Sequence, residues 1–143
     1  MNSSKEMKKL NFDAWVDLID ERILDWRNGL NTELKCNLDF SIDSLDLIEK
    51  YLFENFTLES IKSTENKLQI DGAASYAIKV FEKHWTNSQY VIELDDKKNV
   101  LYNRPAIITN PPKGAAFSPY MFIPAIINLK KTGIFRKNLE SRL

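Results

Sequence analysis

The sequence predicts an α+β fold, with N-terminal helices packed on one face of a small antiparallel sheet and a buried C-terminal helix. Three observations carry that expectation. Ile70, Ala73, Ala74, Ala77, Ile78, Phe81 and Trp85 recur at helical spacing, which lays an apolar stripe along a long central helix. Residues 89–94 then change to a β-branched and aromatic run suited to a strand. Residues 121–129 are apolar on nearly every side, as a buried helix is.

The first helix is expected over residues 12–28. Asn11 stands at the N-cap and Asp13 in the first turn, where a carboxylate meets the helix dipole. Phe12, Trp15, Ile19, Ile23, Trp26 and Leu30 form its inward stripe, Asp17, Asp20, Glu21 and Asp25 its acidic side, and Gly29 its stop. Residues 1–10 read as a flexible lead-in to a single domain over 11–143. Residues 31–39 read as a connector or a short edge strand. A second helix follows to about residue 55, with Ser41 as N-cap and Phe40 and Leu45 as a hydrophobic staple. Thr57 caps a short turn over 58–62.

The central helix begins near residue 65. Gly72 inside it costs roughly 1 kcal/mol relative to Ala, which a close approach by another element would justify; the alternative is a backbone opening for a ligand. Polar residues 95–99 separate 89–94 from 100–102, the pattern of an antiparallel hairpin. Pro105 restricts 106–109 to an edge strand or a strand start, and residues 110–114 form a loop. Ser118-Pro119 opens a helix. Pro124 either kinks that helix or begins it, and Lys130, Lys131 and Gly133 end it. Residues 134–143 hold one last strand or turn.

A chain of 143 residues buries a real core without covalent staples. One cysteine, Cys36, leaves no intramolecular disulfide, which favours a reducing compartment and so a cytoplasmic location. No apolar run approaches the roughly 20 residues of a membrane span, and the N-terminal lysines are followed by no apolar signal segment. The formal net charge is zero, but residues 11–60 hold 12 acidic and 4 basic side chains while residues 97–143 hold 9 basic and 1 acidic. These halves either face each other or form separate faces for different partners.

The inventory for catalysis is small. His84 and Cys36 are the only members of their types, and no local motif joins them as nucleophile and base. No metal-ligand spacing, phosphate loop or nucleophile elbow occurs, so neither a metal nor a cofactor is expected. Asn110-Pro111-Pro112 matches part of the Asn-Pro-Pro-aromatic loop of amino-methyltransferases. Lys113 replaces the aromatic, however, and no Gly-rich strand–loop–helix for a methyl donor is present. Basic and aromatic residues interleave in the last third, but a sequence pI near 6.6 and the lack of an RNA-binding motif argue against nucleic acid.

By elimination the expected function is protein binding, of the immunity or adaptor kind, with a protein partner on an acidic helical face made of Asp17, Asp20, Asp25, Asp43, Asp46 and Glu49. The alternative is a small-molecule binder or enzyme with a pocket between the central helix and the sheet, near Gly72, Tyr76, Arg104 and Tyr120. A homo-oligomer joining acidic to basic faces is the third reading.

Overall fold

In the computed structural model, which describes residues 3–143, the helices in chain order are α1 (Ser3–Asp17), α2 (Ile19–Asn28), α3 (Thr32–Asn37), α4 (Ser44–Asn55), α5 (Lys67–His84), α6 (Pro119–Leu129) and α7 (Ile134–Glu140). Two 3₁₀ turns, Ser60–Lys62 and Thr64–Asn66, lead into α5. Strands β1 (Ser88–Val91) and β2 (Ala106–Thr109) pair antiparallel, with Ser88 opposite Thr109 and Val91 opposite Ala106. The fold is α+β and about 60% helical, so helix packing more than sheet pairing builds the core. No helix among the described residues is long and apolar enough to cross a membrane.

Helix α5 is the centre. The predicted stripe is buried, but so are Gly72, Ser75, Tyr76 and Val80 on its other sides. Helices α2, α4, α6 and α7 and strand β2 cover it all round. A helix enclosed in this way needs small residues where neighbours cross. At Gly72 a Cβ atom would lie 2.2 Å from Trp26 Cβ and 2.4 Å from Trp26 Cγ. Gly72 therefore marks the seat of α2 on α5.

The first predicted helix is two helices. Phe12, Ile19, Ile23 and Trp26 are buried as the pattern requires, but the helix begins at Ser3 and is interrupted at Leu18. Residues 3–10 are thus helical instead of a lead-in; Met1 and Asn2 lie outside the described residues. Lys, Glu, Met and Leu are good helix formers, and Lys9 pairs with Asp13 at 3.0 Å across one turn. The interruption has a specific partner. Arg22 Nη2 donates to the Trp15 carbonyl oxygen at 2.6 Å, the acceptor that a continuous helix would offer to the Ile19 N–H.

Residues 32–37 are a helix, where a connector or strand was expected, because Asn31 Oδ1 caps it by accepting from the Leu34 N–H at 2.8 Å. Helix α4 starts three residues beyond the predicted Ser41 cap. Phe40 adopts φ 61° and stacks on Tyr76, ring centroids 4.6 Å apart, while Ser41 Oγ accepts from the Ser44 N–H at 3.2 Å. Thr57 and Ser60 exchange side chain–backbone hydrogen bonds of 2.8 and 3.0 Å, which makes the predicted capped turn.

The expected hairpin partner of β1 is wrong. Residues 100 and 101 lie in a turn, Tyr102 makes only an isolated parallel bridge to Glu93, and β1 pairs with β2. The loop's own side chains explain why. Glu93 accepts from the Asp95 N–H, Asp96 from the Lys98 N–H and Asn99 from the Leu101 N–H. With the Tyr102 N–H, which donates to the Asn99 carbonyl at 2.9 Å, the Leu101 bond takes amide groups that the expected strand would have paired. On its other side β2 exchanges two bonds with Phe117, of 2.9 and 2.8 Å through Ile107. That bridge sets the Phe117 ring on Phe81 at 3.9 Å.

Helix α6 begins at Pro119 as expected and carries Pro124 within it. It buries Ile123, Ile126 and Ile127 but leaves Pro124, Ala125 and Leu129 exposed, so it is covered on one side only. Lys130 ends it in the left-handed region, at φ 53°. The tail is helix α7 where a strand or turn was expected, and Glu49 accounts for it. The Glu49 carboxylate accepts from the N–H groups of Gly133 (2.9 Å), Ile134 (3.0 Å) and Phe135 (3.3 Å). A carboxylate at a helix N-terminus satisfies orphan donors and meets the positive end of the dipole. Gly133 reaches this geometry at φ 99°, which favours glycine.

Two predictions follow from this packing. Gly72→Ala should lower stability by about 1–3 kcal/mol in urea unfolding. Gly29→Ala, whose added methyl would meet only the Trp26 carbonyl at 3.6 Å, should change it by no more than about 0.5 kcal/mol; equal effects would refute the close approach. Glu49→Ala should cost about 3 kcal/mol, since it orphans several buried donors at about 1–3 kcal/mol each. Glu49 also sets a pH dependence. Burial pushes its carboxyl above the ordinary 4.5, against the opposing pull of the three backbone donors. Folding therefore raises the cost of ionising Glu49 relative to the unfolded chain. Its contribution is complete below pH 4.5 and declines as pH rises through the folded value. Denaturant titrations at several pH values should show that decline in the wild type relative to Glu49→Gln.

Candidate functional site

The six predicted acidic residues do not form one surface. Asp17 and Asp25 are exposed on α1 and α2. Asp20, also exposed, lies 3.6 Å from Lys79. Asp43 and Asp46 both pair with Arg136 of α7, at 2.6 and 3.0 Å. Glu49 has no exposed surface and is spent on the α7 cap, so it is unavailable to a partner. The structure brings Asp43, Asp46 and Glu49 together for an internal purpose, docking α7.

The four pocket candidates also divide. Gly72 is filled by Trp26. Tyr76 is fully buried; its hydroxyl donates to Ser44 Oγ and accepts from the Phe40 N–H, both at 2.8 Å. Both are core residues. Arg104 and Tyr120 do line a common cleft of about 440 Å³. It lies between α1, the start of α5, α6 and residues 92–105, and not between the central helix and the sheet.

Each wall of this cleft has a local origin. Helix α1 supplies Lys8, Asn11, Phe12 and Trp15, which recur at helical spacing once the helix extends back to Ser3. Helix α5 supplies Lys67, Ile70 and Asp71, spaced to share a face. Tyr120, Ile123 and Pro124 come from α6, and Asn103, Arg104 and Pro105 from the loop before β2. Phe12, Trp15, Ile70 and Ile123 make a largely apolar floor.

The polar groups fall into two sets. One is closed on itself. Tyr120 donates to Asp71 Oδ1 at 2.8 Å, Trp15 Nε1 donates to the Tyr120 hydroxyl at 3.3 Å, and Lys67 pairs with Asp71 Oδ2 at 3.0 Å. Arg22 braces the set from behind. Its Nε donates to Ser75 Oγ at 2.9 Å, and the Ser75 hydroxyl donates to the Asp71 carbonyl at 2.6 Å. Burial and the adjacent Asp71 carboxylate push the Tyr120 hydroxyl far above its ordinary value, so it remains a neutral donor. Burial lowers the Arg22 guanidinium from its ordinary value. The second set, Lys8 and Arg104 at the mouth, has no carboxylate within salt-bridge distance among the described residues.

Nothing about these groups resembles a metal centre or a nucleophile. No cluster of three or more His, Cys, Asp or Glu side chains that could hold a metal occurs among the described residues. His84 Nε2 donates to the Phe40 carbonyl at 3.1 Å, and Cys36 is exposed on α3. Sequence reasoning missed Lys8, Asn11, Trp15, Lys67 and Asp71. The 8–12–15 spacing was present, but residues before Asn11 were set aside as lead-in. No protein-family model, curated protein or solved structure matches this chain, so the cleft is interpreted from its own chemistry.

If Tyr120 holds Asp71 as described, Tyr120→Phe should cost about 1.5–3 kcal/mol, the range for a hydrogen bond to a charged group. Chemical unfolding measures this, and a loss under 0.5 kcal/mol would show that the hydroxyl contributes nothing.

Proposed function

We propose that the protein binds a small, largely apolar ligand in the cleft beneath α1. The observation that supports this reading is the cleft itself. Its volume of about 440 Å³ suits a small organic molecule, and its aromatic and aliphatic floor with a few converging polar groups has the composition of such sites. Binding without turnover is favoured. Asp71, the one carboxylate on the wall, already accepts from Tyr120 and Lys67 and is not free to take a substrate proton.

A titration of isotope-labelled protein with a small-fragment mixture tests this. Hits should shift the Trp15 indole and the Asn11 and Asn103 side-chain amides. Ile61→Trp, which fills the cleft from its half-buried rim, should abolish those shifts while leaving the rest of the spectrum in place. Hits that map elsewhere, or shifts that survive Ile61→Trp, would sink the reading.

A second observation favours the protein-partner reading, on a smaller surface than the sequence suggested. Asp13, Asp17, Glu21 and Asp25 follow at four-residue spacing, all exposed, with Leu18 and Leu24 exposed among them. Asp13 with Asp17 on α1 and Glu21 with Asp25 on α2 are like charges one turn apart, and each such pair opposes helix formation by about 0.2–0.5 kcal/mol. A basic partner of an immunity-type or adaptor interaction would offset that repulsion. Reversing Asp17, Glu21 and Asp25 to lysine should release such a partner in a low-salt pull-down without changing the melting temperature by more than a few degrees. Retention of the same partner by the reversed variant would exclude this ridge.

A further inference from the structure

The proposed ligand-binding reading leaves the chemical class of the ligand open, and the charges around the cleft narrow it. Three cationic side chains, Lys8, Lys67 and Arg104, line the cleft against one carboxylate, Asp71. Lys67 and Asp71 satisfy each other at 3.0 Å. Lys8 and Arg104 remain, one half-buried and one exposed. Lys8 donates at 3.2 Å to Ser4 Oγ and to the Tyr102 hydroxyl, both neutral. Its ammonium also lies 5.6 Å from the centre of the Tyr102 ring, so the charge has hydroxyl and ring partners but no carboxylate to balance it, and it faces the same space as Arg104.

We infer that the cleft binds an amphiphilic organic anion, its carboxylate or phosphate head held between Lys8 and Arg104 and its hydrocarbon or aromatic body on the Phe12–Trp15–Ile70–Ile123 floor. The inference rests on the cleft being the binding site. An ammonium ligand is the opposite possibility, and the charges that line the cleft oppose it. Lys8 and Arg104 face the same space and repel a cation, and the one carboxylate that would attract an amine is held by Lys67 and Tyr120. A neutral apolar ligand would gain the floor but nothing from the two mouth cations. An anion gains both. It also connects α1 to the 103–105 loop, since one head group would bond to both walls.

Four eight-carbon probes with different head groups test this: octanoate, octyl phosphate, octanol and octylamine, each titrated into the full chain by calorimetry and by amide NMR. Octanoate or octyl phosphate should bind at least about tenfold more tightly than octanol, and octylamine more weakly than octanol. Whichever of the two anions binds more tightly identifies the head group. Lys8→Gln with Arg104→Gln should weaken the anion at least about tenfold and leave octanol unchanged. Raising salt should weaken the anion alone, because exposed charges are screened. Both positions lie outside the buried core, and the amide spectrum of the double variant verifies its fold. Equal binding of octanoate and octanol in the cleft would overturn the anionic class while the cleft function stands. Anion preference that survives the double substitution would overturn the assignment to Lys8 and Arg104. Failure of all four probes to shift cleft resonances at millimolar concentration would overturn the cleft function itself.

Discussion

The contact of Trp26 with the bare backbone of Gly72 is the constraint from which the rest of the structure follows. It seats α2 directly on α5, closer than any side chain at position 72 would allow. With α2 in place, Arg22 reaches Ser75 on α5 and the Trp15 carbonyl on α1 in the same guanidinium. That second bond takes an acceptor out of the helical ladder, and the helix is interrupted at Leu18. The part before the interruption, α1, then forms one wall of the cleft. A glycine in the middle of a helix, unfavourable by local propensity, thus leads by direct contacts to the feature with the clearest functional chemistry.

The charge asymmetry of the chain resolves in the same contact-by-contact way. Part of it is internal. Asp43, just before α4, and Asp46 and Glu49 on it hold α7 through its N-terminal amides and through Arg136. Glu49 is the buried member of that group and accepts from fixed backbone N–H groups, whereas the Arg136 pairs stand near solvent and contribute little. The other part stays outward. The carboxylates of α1 and α2 point to solvent, and the cations of the 97–113 stretch include Arg104 at the cleft. Neither description offered by composition, halves facing each other or halves forming separate faces, covers the molecule. Each applies to different residues.

Much of the fold was legible. The α5 stripe, the α2 core residues Ile19, Ile23 and Trp26, the Thr57 turn and the Ser118-Pro119 helix start all follow from periodicity and capping, which are local. The errors have two kinds of cause, one long-range and one local. Helix α7 exists because a carboxylate 84 residues away in sequence meets its first amide. The partner of β1 is β2 because residues 93–101 satisfy themselves, a competition that a polar loop and a hairpin connection display alike in sequence. For the site, Arg104 and Tyr120 were identified and are adjacent to one cleft. Gly72 and Tyr76 were assigned to a pocket because small and polar residues on a central helix suit a ligand as well as they suit close packing. Burial distinguishes the two, and sequence does not show it.

The cleft joins a floor built on the buried core to a mouth held by surface contacts. Its floor and inner wall consist of Ile70, Ile123 and the Tyr120–Asp71–Lys67 set, backed by Arg22 and Ser75 against the core. Its mouth is set between α1 and the 92–105 loop, which are tied by an exposed Lys5–Asp95 ion pair and by the Lys8–Tyr102 bond. Exposed ion pairs of that kind contribute little. The width of the mouth is therefore held by little energy, while the geometry of the floor is held by the whole core. A molecule that engages Lys8 and Arg104 together would supply the missing tie between the two walls. Order at the mouth would then come from the ligand, as selectivity for its body comes from the rigid floor.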